Sequence, residues 1–270
     1  MIRLTPKNGL KIALISLDQA WEDKARNLAR CEELAAVAAC GGAEILIFPE
    51  MTLTGFTMNI GLSAEQPDTS PSWVVFGELA ARHGVWVVAG VVFQQGDKAA
   101  NTLMVFSPDG REAARYVKLH PFTPAGEDRW FEAGKLLARV KIAEFTVGLT
   151  ICYDLRFPEL YSALAKECDL LLNIANWPQR RVAHWRTLLQ ARAIENQVFM
   201  IGVNRTGIDG NGVDYESSSG VVNANGEFLS PTATAGEIDW YEVCLPELMD
   251  FRRVFSTRQD RRPELYRQLL

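Results

Sequence analysis

The sequence predicts an α/β layered domain with mixed sheets. Three observations carry this: short apolar runs alternate with stretches of helical period, a hairpin signal intrudes between them, and no linker divides the chain. Lys11 to Leu17 (KIALISL) reads as a strand, and Glu22 to Cys40 carries apolar residues at helical spacing until Gly41-Gly42 stops it. Glu44 to Phe48 (EILIF) is almost wholly apolar, as befits a strand buried on both faces, and Pro49 ends it with Glu50 at its C-terminal end. Pro71 to His83 reads as a helix with Ser70 as N-cap and Gly84 as its stop. Val85 to Gln95 and Thr102 to Ser107 follow as strands. The turn Ser107-Pro108-Asp109-Gly110 pairs the latter with Arg111 to Leu119 as a hairpin.

Beyond a loop from His120 to Lys135, strands at Leu137 to Ile142 and Thr146 to Ile151 lead to Cys152, and Pro158 to Lys166 reads as the next helix. Asp169 to Ala175 is a buried strand, Ala183 to Asn196 a helix and Val198 to Val203 a strand. Gly-rich turns then separate short strands through Val243, and a C-terminal helix starts behind Pro246. No low-complexity tract or internal repeat is visible, so residues 1–270 read as one domain.

A chain of 270 residues buries roughly 75% of its unfolded surface, and its 48% hydrophobic and 23% charged residues match an ordinary soluble enzyme-sized domain. The net charge of -5 supplies no basic field, so neither nucleic acid nor an anionic membrane is an expected partner. The five cysteines are odd in number and scattered, with no C-x-x-C and no metal-ligand spacing, which points to a reducing compartment. Between Met1 and Ala20 the only apolar stretch, Ile12 to Leu17, is short for a signal-peptide core. Val85 to Phe93 is half of the ~18 residues that a membrane-spanning helix needs. A cytoplasmic location is therefore expected.

Cys152 stands where a β-rich run breaks into a turn and a helix. There a cysteine is either a small buried hydrophobe or a nucleophile that gains from nearby backbone N–H groups. Glu50 ends a buried strand and Lys118 ends the Arg111 to Leu119 strand, and charges at the ends of apolar strands converge on the crevice where α/β sheets bind ligands. Each alone reads as a solvated strand terminus; together with Cys152 they supply a base, an oxyanion donor and a nucleophile. The three histidines, His83, His120 and His184, show no i, i+4 pairing, so neither a metal nor any cofactor is expected. A thiol dyad of Cys152 with His120 or His184 is the papain-like alternative. Asp209-Gly-Asn-Gly reads as a tight turn, Phe56 and Trp185 as core aromatics, and Trp177, in a loop after a strand, as a pocket wall.

The stretches Phe48-Pro-Glu50-Met-Thr-Leu-Thr-Gly-Phe56, Tyr116-Val-Lys118-Leu-His-Pro-Phe122 and Ile151-Cys152-Tyr-Asp-Leu-Arg-Phe-Pro-Glu159 resemble the three signatures of the carbon-nitrogen hydrolase (nitrilase) superfamily, in that family's order. The resemblance runs from about Lys11 to Val243. It implies a four-layer α-β-β-α sandwich, a homodimer or higher homo-oligomer with the C-terminal extension from about residue 246 at the dimer interface, and no cofactor. It also implies a catalytic triad of Glu50, Lys118 and Cys152. A second family glutamate matches Glu127, with Glu132 nearby as the alternative. Cys152-Tyr-Asp-Leu-Arg-Phe looks like the amidase branches rather than true nitrilases. Ala175-Asn-Trp-Pro-Gln-Arg180-Arg and Val203-Asn-Arg-Thr-Gly-Ile-Asp-Gly-Asn-Gly212 are similar to bacterial omega-amidases.

The implied reaction is hydrolysis of the terminal amide of a small 2-oxo acid, such as 2-oxoglutaramate or 2-oxosuccinamate. Cys152 attacks, Glu50 moves protons, and Lys118 with the backbone N–H of Tyr153 holds the oxyanion. Lys118 is expected to favour the thiolate. The substrate carboxylate needs a cation, for which Arg180, beside Trp177, is the first candidate and Arg181 and Arg205 are alternatives. A deaminated-glutathione amidase, another aliphatic amidase, or a catalytically idle binding member of the fold are the competing readings.

Overall fold

The computed structural model describes residues 9–269, so the basic stretch before Gly9 lies outside the described residues. In chain order the first half runs β1 (Leu10–Ile15), α1 (Lys24–Cys40), β2 (Ile45–Ile47), α2 (Ile60–Ser63), α3 (Pro71–His83), β3 (Trp86–Gln95), β4 (Lys98–Phe106) and β5 (Glu112–Val117). After α4 (Glu127–Trp130) come β6 (Arg139–Ile142), β7 (Phe145–Ile151), α5 (Pro158–Leu164), β8 (Leu170–Ala175), α6 (Val182–Asn196) and β9 (Phe199–Asn204). A ribbon of β10 (Gly207–Ile208) and β11 (Asp214–Tyr215) precedes β12 (Gly220–Val222), β13 (Ala233–Ala235), β14 (Ile238–Val243), α7 (Leu245–Val254) and α8 (Pro263–Leu269).

Local chemistry sets these boundaries. Asp23 accepts the Arg26 N–H, so α1 starts at Lys24 rather than at Glu22. Ser70 accepts the Trp73 N–H and Pro71 sits in the first turn of α3, which ends where Gly84 takes a left-handed φ of 64°. β4 begins at Lys98, four residues before the strand expected from Thr102, because Gly96 at φ 59° lets Gln95 pair directly with Lys98. The short helices α2 and α4 lie in segments that carry too few residues for a readable period.

Two sheets form, in the orders β13-β14-β1-β2-β3-β4-β5 and β12-β9-β8-β7-β6. Each has a parallel centre, β1-β2-β3 in one and β7-β8-β9 in the other, and antiparallel neighbours outside it. The alternation of side chains explains the layers. Ile12 and Leu14 of β1 join Leu149, Ile151 and Leu172 in the cluster between the sheets, whereas Ala13 and Ile15 pack with Leu34 of α1 and Phe76 of α3. On the far side, Thr150 and Asn173 bond the Tyr161 hydroxyl of α5, and Gly202 leaves room for Trp185 and Leu189 of α6. The result is the four-layer α-β-β-α sandwich that the resemblance implied. The C-terminal segment is tied to the second sheet's helical layer, where Arg252 of α7 pairs with Asp169 at 2.9 Å and donates to the Gln197 carbonyl.

One close approach matters beyond the fold. A Cβ built on Gly90 of β3 would lie 2.3 Å from the Met51 nitrogen and 2.9 Å from Glu50 Cα, so only glycine lets the chain after β2 turn over its neighbour. The Gly90 N–H also donates to Thr52 Oγ1 at 2.9 Å. Gly90→Ala should therefore destabilise the protein by about 1–3 kcal/mol through forced backbone shifts. It should also lower turnover more than the loss of folded protein accounts for, as denaturant unfolding and kcat measured on the same sample will show.

Candidate active site

Four strand ends deliver the polar side chains of the site to one place. Glu50 follows β2, Lys118 follows β5, Cys152 follows β7 and Asn176 follows β8. Gln19 Nε2 donates to the carbonyls of Glu50, Met51 and Thr52 at 3.0, 2.9 and 3.1 Å, which pins the turn where Met51 takes a φ of 45°. Cys152 has the same left-handed φ of 45°. Such non-glycine residues cost on the order of 1–3 kcal/mol each, and the surroundings must hold them. At Cys152 the holder is Asp154, which accepts the Ile151 N–H at 2.9 Å, the Tyr116 hydroxyl at 2.7 Å and the His120 N–H at 3.0 Å.

The charges are almost fully enclosed. Lys118 Nζ lies 2.9 Å from Glu50 Oε1 and 2.8 Å from Glu127 Oε2, with side-chain exposures of 1, 0 and 0%. Asn101 Nδ2 donates to both carboxylates, at 2.7 Å to Glu50 and 3.0 Å to Glu127. The Asn176 N–H donates to the other oxygen of Glu50 at 2.9 Å, and the Phe122 N–H donates to Glu127. Every carboxylate oxygen thus has a donor, as buried charge requires. Glu132 sits at the surface against Lys98 at 3.5 Å, so it is Glu127 that belongs to the cluster.

Burial pulls the Lys118 ammonium down, but the facing carboxylates of Glu127 and Glu50 outweigh it, and its pKa is raised. The Glu127 carboxyl is pushed up by burial and by Glu50 against the pull of Lys118. Lys118 pulls the Cys152 thiol toward the thiolate, the direction expected of it, yet the thiol lies well above its ordinary range. Burial comes first and Glu50 second, and Lys118 offsets only part of them. The side chain is also buried, 9% exposed, rather than open at the sheet edge. Sγ faces the Asn176 carbonyl at 3.9 Å; His120 instead bonds Asp154 and stacks on Phe157, and His184 lies by Arg156. The papain-like dyad is thereby set aside.

In front of the thiol opens a cavity of about 160 Å³, small beside the roughly 300–1,000 Å³ of sites for drug-sized ligands. Trp177, read from the sequence as a pocket wall, lines it, as do Tyr153 and Phe56, although the sequence context of Phe56 reads as core. Trp185 is fully buried behind Trp177, as expected of a core aromatic. Arg156, Arg180 and Arg181 line the cavity, together with Asp209. Arg205 does not: it is buried behind the wall, with its guanidinium 4.7 Å from the Tyr215 ring.

The carbon-nitrogen hydrolase family model matches residues 11–248. Omega-amidase YafV of Escherichia coli is 34% identical over 93% of this chain and 96% of its own. A 2-oxoglutaramate amidase of Paenarthrobacter nicotinovorans is 32% identical over 97% and 93%. The crystal structure of XC1258 from Xanthomonas campestris, a CN-hydrolase superfamily protein with an arsenic adduct in its active site, superposes with a TM-score of 0.88 at 29% identity, covering 95% of this chain and 98% of that one.

The chain belongs to the carbon-nitrogen hydrolase family. This hydrolase acts on carbon-nitrogen bonds other than peptide bonds. Beside its charged groups, three polar residues escape sequence reasoning: Asn101, Asp154 and Asn176. Asn101 carries the one faint signal, an amide side chain next to Thr102 in the otherwise apolar run from Ala99 to Phe106 of β4.

Two outcomes follow from this geometry. Lys118→Met strands two buried carboxylates in the hydrolase and should cost about 3–5 kcal/mol of stability at neutral pH. That loss should shrink as the pH falls and the carboxyls protonate, which denaturant melts across the acid range will measure. Because the thiol of the free hydrolase is shifted upward, alkylation of Cys152 by iodoacetamide should keep accelerating beyond about pH 9 with no plateau near neutrality. A rate plateau below pH 7 would mean a preformed thiolate.

Proposed function

We propose that the hydrolase is a thiol amidase that releases the terminal carboxamide of a small 2-oxo dicarboxylic acid monoamide, 2-oxoglutaramate or 2-oxosuccinamate, as ammonia. The observation that carries the reading is a buried thiol, Cys152, that lines a small cavity together with three arginines and follows a strand of the sheet whose Asn176 N–H bonds Glu50, the carboxylate held by Lys118. The similarity to omega-amidase YafV and to a 2-oxoglutaramate amidase supports the substrate class.

In the first half-reaction Cys152 Sγ attacks the amide carbon while its proton passes to Glu50. Negative charge grows on the amide oxygen, where the Lys118 ammonium and the Tyr153 backbone N–H hold it; donors of this kind contribute ~3 kcal/mol each. The carbon-nitrogen bond breaks as Glu50 gives its proton to the leaving nitrogen, and ammonia departs from a thioester. Water then attacks the thioester with Glu50 taking its proton, and the carbon-sulfur bond breaks as Glu50 passes that proton to the departing sulfur, which returns the thiol, the Glu50 carboxylate and the acid. Glu127 positions Lys118 and takes no proton. Trp177 covers the methylenes of the substrate, and Arg180 belongs to the rim that faces its carboxylate.

The whole chain acts as one domain in this reading, in the cytoplasm, where its five unpaired thiols are at home. It works as a homodimer or higher homo-oligomer, with the C-terminal extension at the dimer interface. The exposed side chains Met249, Val254 and Phe255, in and just after α7, favour that placement.

Ammonia release from 2-oxoglutaramate, beside deaminated glutathione, asparagine and a simple nitrile, tests the substrate class. 2-Oxoglutaramate should give the highest kcat/KM. Cys152→Ala should abolish turnover yet melt within about 1 kcal/mol of the wild type, because one sulfur at a cavity edge is lost. Glu50→Gln should lower kcat by ~100-fold or more. Mass spectrometry of enzyme quenched during turnover should find the acyl group on Cys152, and an adduct on Cys168 or Cys244 would overturn the assignment.

A further inference from the structure

Three arginines face the cavity, and none of them has a carboxylate within ion-pairing distance among the described residues. They are not equivalent. Arg180 is exposed, whereas Arg156 and Arg181 are half-buried. Arg181 holds its guanidinium 5.4 Å from the Phe122 ring, and Arg156 holds its own 4.8 Å from the Trp177 ring and 6.0 Å from that of Tyr153. All three aromatic rings line the cavity, so both cations are fixed against its walls. Neither is neutralised locally: Arg156 has only the ring nitrogen of His184 at 3.4 Å. The Trp177 indole donates to the Arg181 carbonyl at 2.8 Å, which ties the backbone of Arg181 to the wall.

Fixed, half-desolvated guanidiniums that lack an anion define an anion subsite. We infer that Arg181, assisted by Arg156, grips the carboxylate of the substrate in the cavity that the thiol also lines, while Arg180 acts from outside by long-range attraction only. The inference rests on the amidase reading of the site and deepens it by naming the residues that select an acidic amide. Two guanidiniums suit a 2-oxo acid, whose carboxylate and adjacent oxo group present three acceptor oxygens on one side. Asp209 lines the same cavity but is engaged by the Tyr215 hydroxyl at 3.0 Å and by the Asn211 and Val213 N–H groups. Its charge is thereby held on the wall.

The test compares 2-oxoglutaramate with pentanamide, a neutral amide of the same chain length, in the wild type, Arg181→Met, Arg181→Lys and Arg180→Met. Losing a charge-assisted contact should lower the ratio of the two kcat/KM values by roughly 10- to 150-fold in Arg181→Met. Arg181→Lys keeps the charge and should fall between it and the wild type, and Arg180→Met should change the ratio by less than about 3-fold at physiological salt. Equal losses on both amides in Arg181→Met, or a larger selective loss in Arg180→Met, overturn the inference. Inhibition of pentanamide hydrolysis by 2-oxoglutarate separates this result from the substrate reading. If wild type ignores 2-oxoglutaramate but 2-oxoglutarate inhibits it and Arg181→Met weakens that inhibition at least 10-fold, the subsite stands and the proposed substrate falls. If inhibition is the same in wild type and Arg181→Met, the subsite itself falls.

Discussion

The arrangement depends on keeping one ammonium and two carboxylates inside a protein core. Burying even a paired ion costs several kcal/mol unless each lone pair and proton finds a partner. Here Lys118 bridges Glu50 and Glu127, Asn101 spans the same two carboxylates, and backbone N–H groups of Asn176 and Phe122 fill the remaining positions. Those donors come from both sheets and from the loop ahead of α4. Misplacing any of them leaves a charge unpaired, so the cluster forces the two sheets into one relative position as well as equipping the site.

The same demand explains the strained turns. Met51 and Cys152 both take left-handed φ values, one after each sheet's parallel centre begins its loops, and each is locked by a side chain with several bonds, Gln19 for the first and Asp154 for the second. A left-handed residue right after a strand swings its side chain out of the sheet's alternation. That swing takes Cys152 away from the apolar stack that would otherwise receive it and sets it before the cavity. The two sheets also repeat one motif, β1-α1-β2-α3-β3 and β7-α5-β8-α6-β9, both with a parallel centre. Glu50 and Asn176 follow the second strand of their respective repeats, and they bond each other.

Much of this was legible in the chain. Buried parallel strands write themselves as continuous apolar runs, so Glu50 and Cys152 stood out as charge or thiol following apolar sequence, and Lys118 stood out at the end of the antiparallel hairpin strand β5. The repeat was not legible, because it is shared by backbones whose side chains differ, and neither were Asn101, Asp154 and Asn176, ordinary polar residues whose importance lies in partners far along the chain. The choice between Glu127 and Glu132 turned on which of two neighbouring glutamates a four-residue helix points inward, and no period resolves so short an element. The net upward shift of the thiol was hidden for a related reason, although Lys118 does favour the thiolate. Counting one adjacent cation ignores desolvation and the second charge, and both oppose ionisation at Cys152.

Burial and Glu50 both oppose charge on the Cys152 thiol, and this suits the proposed reaction. A thiolate poised beside Glu50 would add a further negative charge to a core that already holds two carboxylates against one lysine. In that reaction the thiol gives up its proton only as an electrophile arrives whose oxygen can take up the charge near Lys118. The cavity repeats this logic along its length. Cys152 lines it together with three guanidiniums and a single carboxylate, Asp209, so in the proposed reaction a small molecule with a neutral amide at one end and an acid at the other binds with its amide at the thiol and its acid toward the arginines.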